Sequence, residues 1–237
     1  STHSNTFATV DWIKSQGIEV APHLSCIGSK RSEIVDILSR YASQAIRRIV
    51  ALRGDLPSGA GAGSMGALSH ANELVALVRD QFGAGFHIEV AAYPEMHPQA
   101  PSFERDLDNF KRKVDAGADS AITQYFYNAD AYEHFSDACV RRGIDIPIVP
   151  GIMPITNFSN LVRFSDACGA EIPRWLRKRL EGYGDDVAAI RALGTEVVSK
   201  MCQRLLDIGA PGLHFYTMNQ ADPTLAIWDN LGLGGPL

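Results

Sequence analysis

A parallel α/β fold, with its site at the carboxyl ends of the strands, is what this sequence predicts. Three observations carry that expectation. Short apolar runs recur and each stops at polar residues: Ile49–Leu52 at Arg53-Gly54-Asp55, His87–Tyr93 at Pro94-Glu95-Met96-His97, Ser120–Thr123 at Gln124-Tyr125, and Gly212–Tyr216 at Thr217-Met218-Asn219. The stretches between them carry apolar residues at helical spacing, Ile34, Ile37, Leu38 and Tyr41 being one such stripe. Polar residues also close nearly every strand, whereas a doubly wound sheet concentrates them near one switch point. The expectation is therefore a TIM-type (β/α)8 barrel forming a single domain over residues 1–237, N-terminally incomplete. Six strand–helix units are visible, and the first two strands would precede Ser1.

Taken in order, the first helix is expected over roughly Thr6–Gln16, closed by Gly17, with a strand Ile18–Ala21 ending at Pro22-His23. A helix follows at Ser32–Ser43, then the strand Ile49–Leu52, a glycine-rich loop Ser58–Gly66 and a helix His70–Phe82. Strand His87–Ala92 leads to the helix Ser102–Ala116, which turns Leu107, Phe110 and Val114 inward, and Gly117 stands where a left-handed cap is expected. Strand Ser120–Thr123 precedes the helix Ala129–Arg142, and strand Pro147–Pro150 precedes Asn157–Asp166. A helical insertion Pro173–Tyr183 comes before the long helix Asp185–Ile208, whose two leading aspartates suit a positive helix start. Strand Gly212–Phe215 and helix Asp222–Leu231 complete the series, and no regulatory domain is expected.

Composition narrows the function. With 46% hydrophobic and 21% charged residues, the chain resembles an ordinary globular protein with ample core. A net charge of −5 argues against nonspecific binding to nucleic acid or to anionic membrane. Cys26, Cys139, Cys168 and Cys202 are widely spaced and form no CxxC pair, so neither a disulfide framework nor a zinc site is expected. No apolar run is long enough to span a bilayer and no signal peptide is visible, which points to a reduced, cytoplasmic setting.

Gly61-Ala62-Gly63-Ser64-Met65-Gly66 matches GxGxxG, but residues Arg53–Ala60 separate it from the strand that a dinucleotide fingerprint requires beside it. The next strand holds Glu89 inside it instead of an acid at its end. At Arg53-Gly54-Asp55 an acid could accept hydrogen bonds from a heterocycle while Gly54 admits a ligand to the backbone; an Arg–Asp pair capping the strand is the plainer alternative. Tyr93–Pro98 sets aromatic, acidic and imidazole groups between two prolines. On the following helix Asp106, Asn109 and Lys113 share a face, with Arg112 at its edge, which equally describes a solvated surface. Gln124 offers a donor and an acceptor, and Phe164 lies at helical spacing from Leu161. No nucleophile triad, HExxH or carboxylate cluster is present, so an organic cofactor and no metal is expected.

Together APHLSC (21–26), IVALRGDLP (49–57), AAYPEMHP (91–98), LDNFKRKVDAGAD (107–119), AITQYFY (121–127), PGIMPITNF (150–158) and HFYTMN (214–219) resemble the methylenetetrahydrofolate reductase family, collinearly over nearly the whole chain. The resemblance implies an FAD-containing (β/α)8 barrel that reduces 5,10-methylenetetrahydrofolate to 5-methyltetrahydrofolate with NADH or NADPH, by ping-pong hydride transfer through flavin N5. It implies that His23, Arg53, Gly54, Asp55, Ala71, Tyr93, His97, Ala100, Asp106, Asn109, Arg112 and Lys113 hold FAD, with Arg112 and Lys113 near its phosphates or ribityl chain. Asp55 would sit at the flavin's pyrimidine edge, tune its redox poise and contact the pterin. Gln124 would hydrogen-bond folate and nicotinamide in turn, and Phe164 would close that shared site. Asn160 and Gln220 fall on the folate side, where a glutamine and an arginine are familiar; His70 replaces a tyrosine, and the glycine-rich loop is longer than usual. The family's general acid, a glutamate on its first strand, would fall upstream of Ser1. A homo-oligomer is expected. Two alternatives remain: a flavin- or folate-binding barrel without a complete catalytic cycle, and an NAD-dependent Rossmann dehydrogenase.

Overall fold

The computed structural model describes residues 2–54 and 66–234. Asp55 and nearly all of the glycine-rich loop, including five of the six GxGxxG residues, lie outside the described residues. The elements are α1 (Thr2–Ser15), β1 (His23–Ser25), α2 (Arg31–Ser43), β2 (Arg48–Leu52), α3 (Ala71–Phe82), β3 (His87–Ala92), α4 (Phe103–Asp115), β4 (Ser120–Tyr125) and α5 (Ala129–Arg141). They continue as β5 (Ile148–Ile152), α6 (Phe158–Cys168), α7 (Arg174–Gly182), α8 (Val187–Asp207), β6 (His214–Phe215) and α9 (Asp222–Asn230). The strands hydrogen-bond in chain order, β1-β2-β3-β4-β5-β6. That order contains no reversal and hence no switch point, which is the connectivity of a (β/α) barrel and not of a doubly wound sheet.

Backbone packing divides the chain into two compact units, Ser1–Ala91 with Phe110–Ala121 and Ala92–Asn109 with Ile122–Leu237. In the first unit β2 pairs in parallel with β1, His23 lying opposite Val50, and with β3, Ile49 lying opposite Ile88. Ile49, Val50 and Ala51 are consecutive and all buried, the unbroken apolar run of a strand covered on both faces. Helix α3 packs on β2 and buries Leu74, Val75, Leu77 and Val78. Helix α2 buries the predicted stripe Ile34, Ile37, Leu38 and Tyr41. Each such side chain, fully buried, stabilises the fold by about 1.5–3 kcal/mol before chain entropy is counted.

Several strands differ in their bounds from expectation, two of them at prolines. The first ladder strand is His23–Ser25, not Ile18–Ala21, and Ile18 is exposed. Proline sets that boundary: Pro22 has no N–H to donate, but its carbonyl accepts the Val50 N–H at 3.0 Å, so pairing starts there. Likewise β5 runs through Pro150 to Ile152, past the proline at which it was expected to stop. Gln124 accordingly falls within β4, one residue before its end.

In the second unit β5 and β6 pair in parallel through Gly151–His214 and Ile152–Phe215. Helix α8 begins as the paired aspartates suggested: the Asp186 carboxylate accepts the Ala189 N–H at 3.0 Å. Gly194 brings α8 against the chain leaving β5, where a Cβ would lie 2.5 Å from the Ile155 carbonyl oxygen. Arg142 ties α5 to α4 through Glu104 and through Asp108 at 3.3 Å.

The first unit is clamped by Arg79, near the end of α3. Its guanidinium donates to the Gly117 carbonyl at 2.9 and 2.7 Å, to Gly83 at 3.0 Å, to Phe86 at 2.8 Å and to the Asp119 carboxylate at 2.5 Å. Asp119 in turn accepts the Ile88 N–H at 2.6 Å. One cation therefore fixes the end of α3, the start of β3 and the turn before β4. Arg79→Ala leaves these carbonyls and a carboxylate without their donor. Denaturant titration should show a loss of about 2–4 kcal/mol, larger than for Arg79→Lys.

Candidate active site

The sequence-predicted residues sit mainly where strands give way to loops. In the first unit Arg53 and Gly54 follow β2, Ala71 opens α3, and Arg112 and Lys113 end α4. His23 is a correction: it opens β1 instead of following a strand, because pairing begins at the Pro22 carbonyl. Its ring is solvent-exposed, yet the surrounding protein thins its hydration and lowers its pKa, outweighing the opposing pull of the Glu89 carboxylate. Glu89 itself is buried in β3 and ion-paired with Arg48. Gly54 has a local reason to be glycine, whatever approaches it. Its φ is +85°, and a Cβ would lie 2.8 Å from the Ser25 Cβ. Arg53 donates through Nε to the Gly54 carbonyl at 3.2 Å, and Lys113 donates through Nζ to the Ala91 carbonyl as β3 ends.

In the second unit the Tyr93–Pro98 loop is held by a helix residue. Asp106 accepts the His97 N–H at 2.7 Å, and the His97 ring meets Tyr93 edge-on at 4.5 Å. The His97 Nδ1 accepts the Gln99 N–H at 3.0 Å. Ala100 closes the turn by donating to the His97 carbonyl at 2.9 Å. Met96 within this loop has φ +90°, a strained value for a residue with a side chain, costing roughly 1–3 kcal/mol. Asn109 is exposed on α4, as a ligand-facing or a solvated side chain would be.

Gln124 lines a small crevice with Tyr93, Glu95, Tyr125 and Cys168. Its Oε1 accepts the Tyr125 N–H at 3.0 Å, and its amide NH2 keeps two donors. Glu95, which the sequence marks only as part of its loop, is the carboxylate of this crevice. Burial pushes its pKa up to about 7; the Glu171 N–H it accepts at 2.8 Å opposes that, and the Glu171 charge adds to it. Burial also raises the Tyr125 phenol, which hydrogen-bonds Ser165 at 3.1 Å.

Asn160, Phe164 and Gln220, predicted separately for the substrate side, line one cavity of about 200 Å³. Met153, Tyr216, Thr217 and Met218 join them there, and no lining residue is charged. The three from the HFYTMN motif were not assigned roles, although their place just after the last strand was the available signal. Met218 and Asn219 are consecutive residues at φ +49° and +58°, so this loop too is strained beside a cavity. Gln124 lies outside this lining.

The four thiols are free, as expected, and burial pushes Cys26 up to about 11 and Cys139 and Cys202 up to about 12, well away from nucleophilic use. Among the described residues no cluster of His, Cys, Asp and Glu could hold a metal ion, and no helix is long and apolar enough to cross a membrane.

The 5,10-methylenetetrahydrofolate reductase of Escherichia coli K12 is 43% identical over 229 residues, covering 96% of this chain and 75% of the relative. That of Pectobacterium carotovorum is 41% identical over the same shares, and that of Buchnera aphidicola from Schizaphis graminum is 40% identical over 96% and 76%. Among solved structures, an uncharacterized Clostridium thermocellum protein described as binding two copies of 5-methyl-5,6,7,8-tetrahydrofolic acid matches with a TM-score of 0.55. Its identity is 16%, over 90% of this chain and 71% of that one, so it supports the fold alone. The family model for methylenetetrahydrofolate reductase matches residues 1–232, and the chain belongs to that family.

Proposed function

We propose that the protein reduces 5,10-methylenetetrahydrofolate to 5-methyltetrahydrofolate on a TIM-type barrel, with FAD as cofactor and NADH or NADPH as the electron source. Family membership implies a flavin in general. The observation that carries the folate reading is the cavity of about 200 Å³ in which Phe164, Tyr216 and Met218 meet Asn160 and Gln220. Aromatic and thioether walls with amide donors and acceptors, and no charge, suit a flat, neutral, nitrogen-rich ring system.

The residues fit the cofactor's chemistry within each unit. In the first, Arg53, Arg112 and Lys113 are cations suited to a pyrophosphate, and Gly54 and Ala71 have little side chain to obstruct it. In the second, the Asp106 carboxylate fixes the His97 backbone, and Asn109 is exposed on the same helix. A bound flavin would supply hydride transfer between the nicotinamide and the folate's methylene carbon. The chain's own residues would orient the partners: Gln124 presents its amide NH2 to a pterin or nicotinamide edge, Phe164 excludes water from one side, and Asp55 would hydrogen-bond the pterin.

Phe164→Ala removes a wall without touching any residue proposed to hold FAD. Steady-state kinetics should give a KM for methylenetetrahydrofolate raised by about tenfold, an aromatic contact's contribution, with flavin content unchanged. An unaltered KM would take Phe164 out of the folate site.

Glu95 supplies a pH test. Its folded pKa lies above the unfolded value, so the folded state binds the extra proton and stability falls as pH rises from about 4.5 to about 7. Glu95→Gln keeps an acceptor for the Glu171 N–H but cannot ionise. At pH 8 the variant should be more stable than the parent by about 2 kcal/mol, and at pH 4 equal to it, in paired denaturant titrations.

A further inference from the structure

The cavity has a wall whose position is fixed from beneath. Tyr216 leaves β6 with its backbone N–H donating to the Ile152 carbonyl at 2.8 Å, while its phenol donates to the Thr123 carbonyl at 2.8 Å. The ring is thus tied at both ends. The Thr123 hydroxyl, in turn, accepts the Gly151 N–H at 2.9 Å, so the side chain of Thr123 takes the amide and its carbonyl takes the phenol. Thr123 is completely buried. Gly151 leaves the space in which this happens: a Cβ there would lie 2.1 Å from the Thr123 carbonyl oxygen and 2.6 Å from Tyr216 Cε2. Burial raises the phenol's pKa far above neutrality, so it remains a proton donor to that carbonyl throughout the physiological range.

We propose that Thr123 and Gly151 are positioning residues that lock the Tyr216 ring as a fixed wall of the cavity shared with Phe164, Asn160 and Gln220, and so set its affinity for the folate ring system. This rests on the folate reading above. Preorganisation is the physical advantage: a ring already held in place loses no rotamer freedom when a flat ligand stacks on it. Gly151 is not among the glycines with positive φ, so alanine is conformationally permitted there and its effect is steric.

The test uses the whole chain with its flavin, titrated calorimetrically with 5-methyltetrahydrofolate and assayed at steady state, with circular dichroism confirming the fold. Tyr216→Phe and Thr123→Val should each weaken binding by about tenfold or more, raising the folate KM more than they lower kcat. Thr123→Ser keeps the hydroxyl and should bind within about threefold of the parent, a rescue that a purely volumetric role for Thr123 would not give. Gly151→Ala should lose about tenfold to a hundredfold in kcat/KM, as expected when a wall is misplaced by an ångström. If that variant does not fold, Tyr216→Phe and the Thr123 pair decide. Parent-like affinity in Tyr216→Phe and Thr123→Val, or failure of Thr123→Ser to rescue, overturns the latch while leaving the folate reading intact. If the parent protein itself does not bind 5-methyltetrahydrofolate, the folate reading fails first and the latch loses its ligand with it.

Discussion

A buried backbone N–H or C=O must find a partner, and where a parallel strand stops the ladder no longer supplies one. Side chains meet that need at both ends of the strands. In the first unit Asp119 takes the Ile88 N–H, Arg79 donates to the carbonyls of Gly117, Gly83 and Phe86, and Lys113 donates to the Ala91 carbonyl. In the second, Asp106 takes the His97 N–H, Glu95 takes the Glu171 N–H, and Thr123 takes the Gly151 N–H and thereby leaves its own carbonyl to Tyr216. Loops that would otherwise be free to wander are held by side chains from neighbouring elements.

The same bonds explain how the site tolerates strain. Met96 lies between Tyr93 and the pinned His97, and Met218 and Asn219 follow the doubly tied Tyr216. Each unusual φ persists where the neighbouring backbone is overdetermined. Residues proposed to hold the cofactor therefore have structural duties as well. Asp106 and Lys113 each already bind a main-chain group, so their variants would change loop position together with any ligand contact. Loss of activity in such a variant would not by itself separate the two roles.

Much of the fold was legible in the sequence because its signals were local. The stripe Ile34, Ile37, Leu38 and Tyr41 gave α2, and the unbroken apolar run Ile49–Ala51 gave a strand covered on both faces. The misplaced first strand shows where local signals fail: Ile18–Ala21 is apolar enough to pair, but pairing starts at the Pro22 carbonyl, a matter of register with β2. In the site, Asn160, Phe164 and Gln220 were identified through motif resemblance, and the structure gathers them in one cavity. Glu95 and the Thr123–Gly151–Tyr216 contacts were not legible. A carboxylate's burial and a hydroxyl's choice of partner depend on residues 76 and 28 positions away. Asp55, the acid at the centre of the proposed chemistry, lies outside the described residues.

Hydride transfer to a folate through a flavin is read by anaerobic visible absorption spectroscopy of the protein reconstituted with FAD. Flavin bands should form, bleach on addition of NADH or NADPH and return on addition of methylenetetrahydrofolate. Bands that never form would contradict the cofactor, and bands that bleach but do not return would contradict the folate reaction.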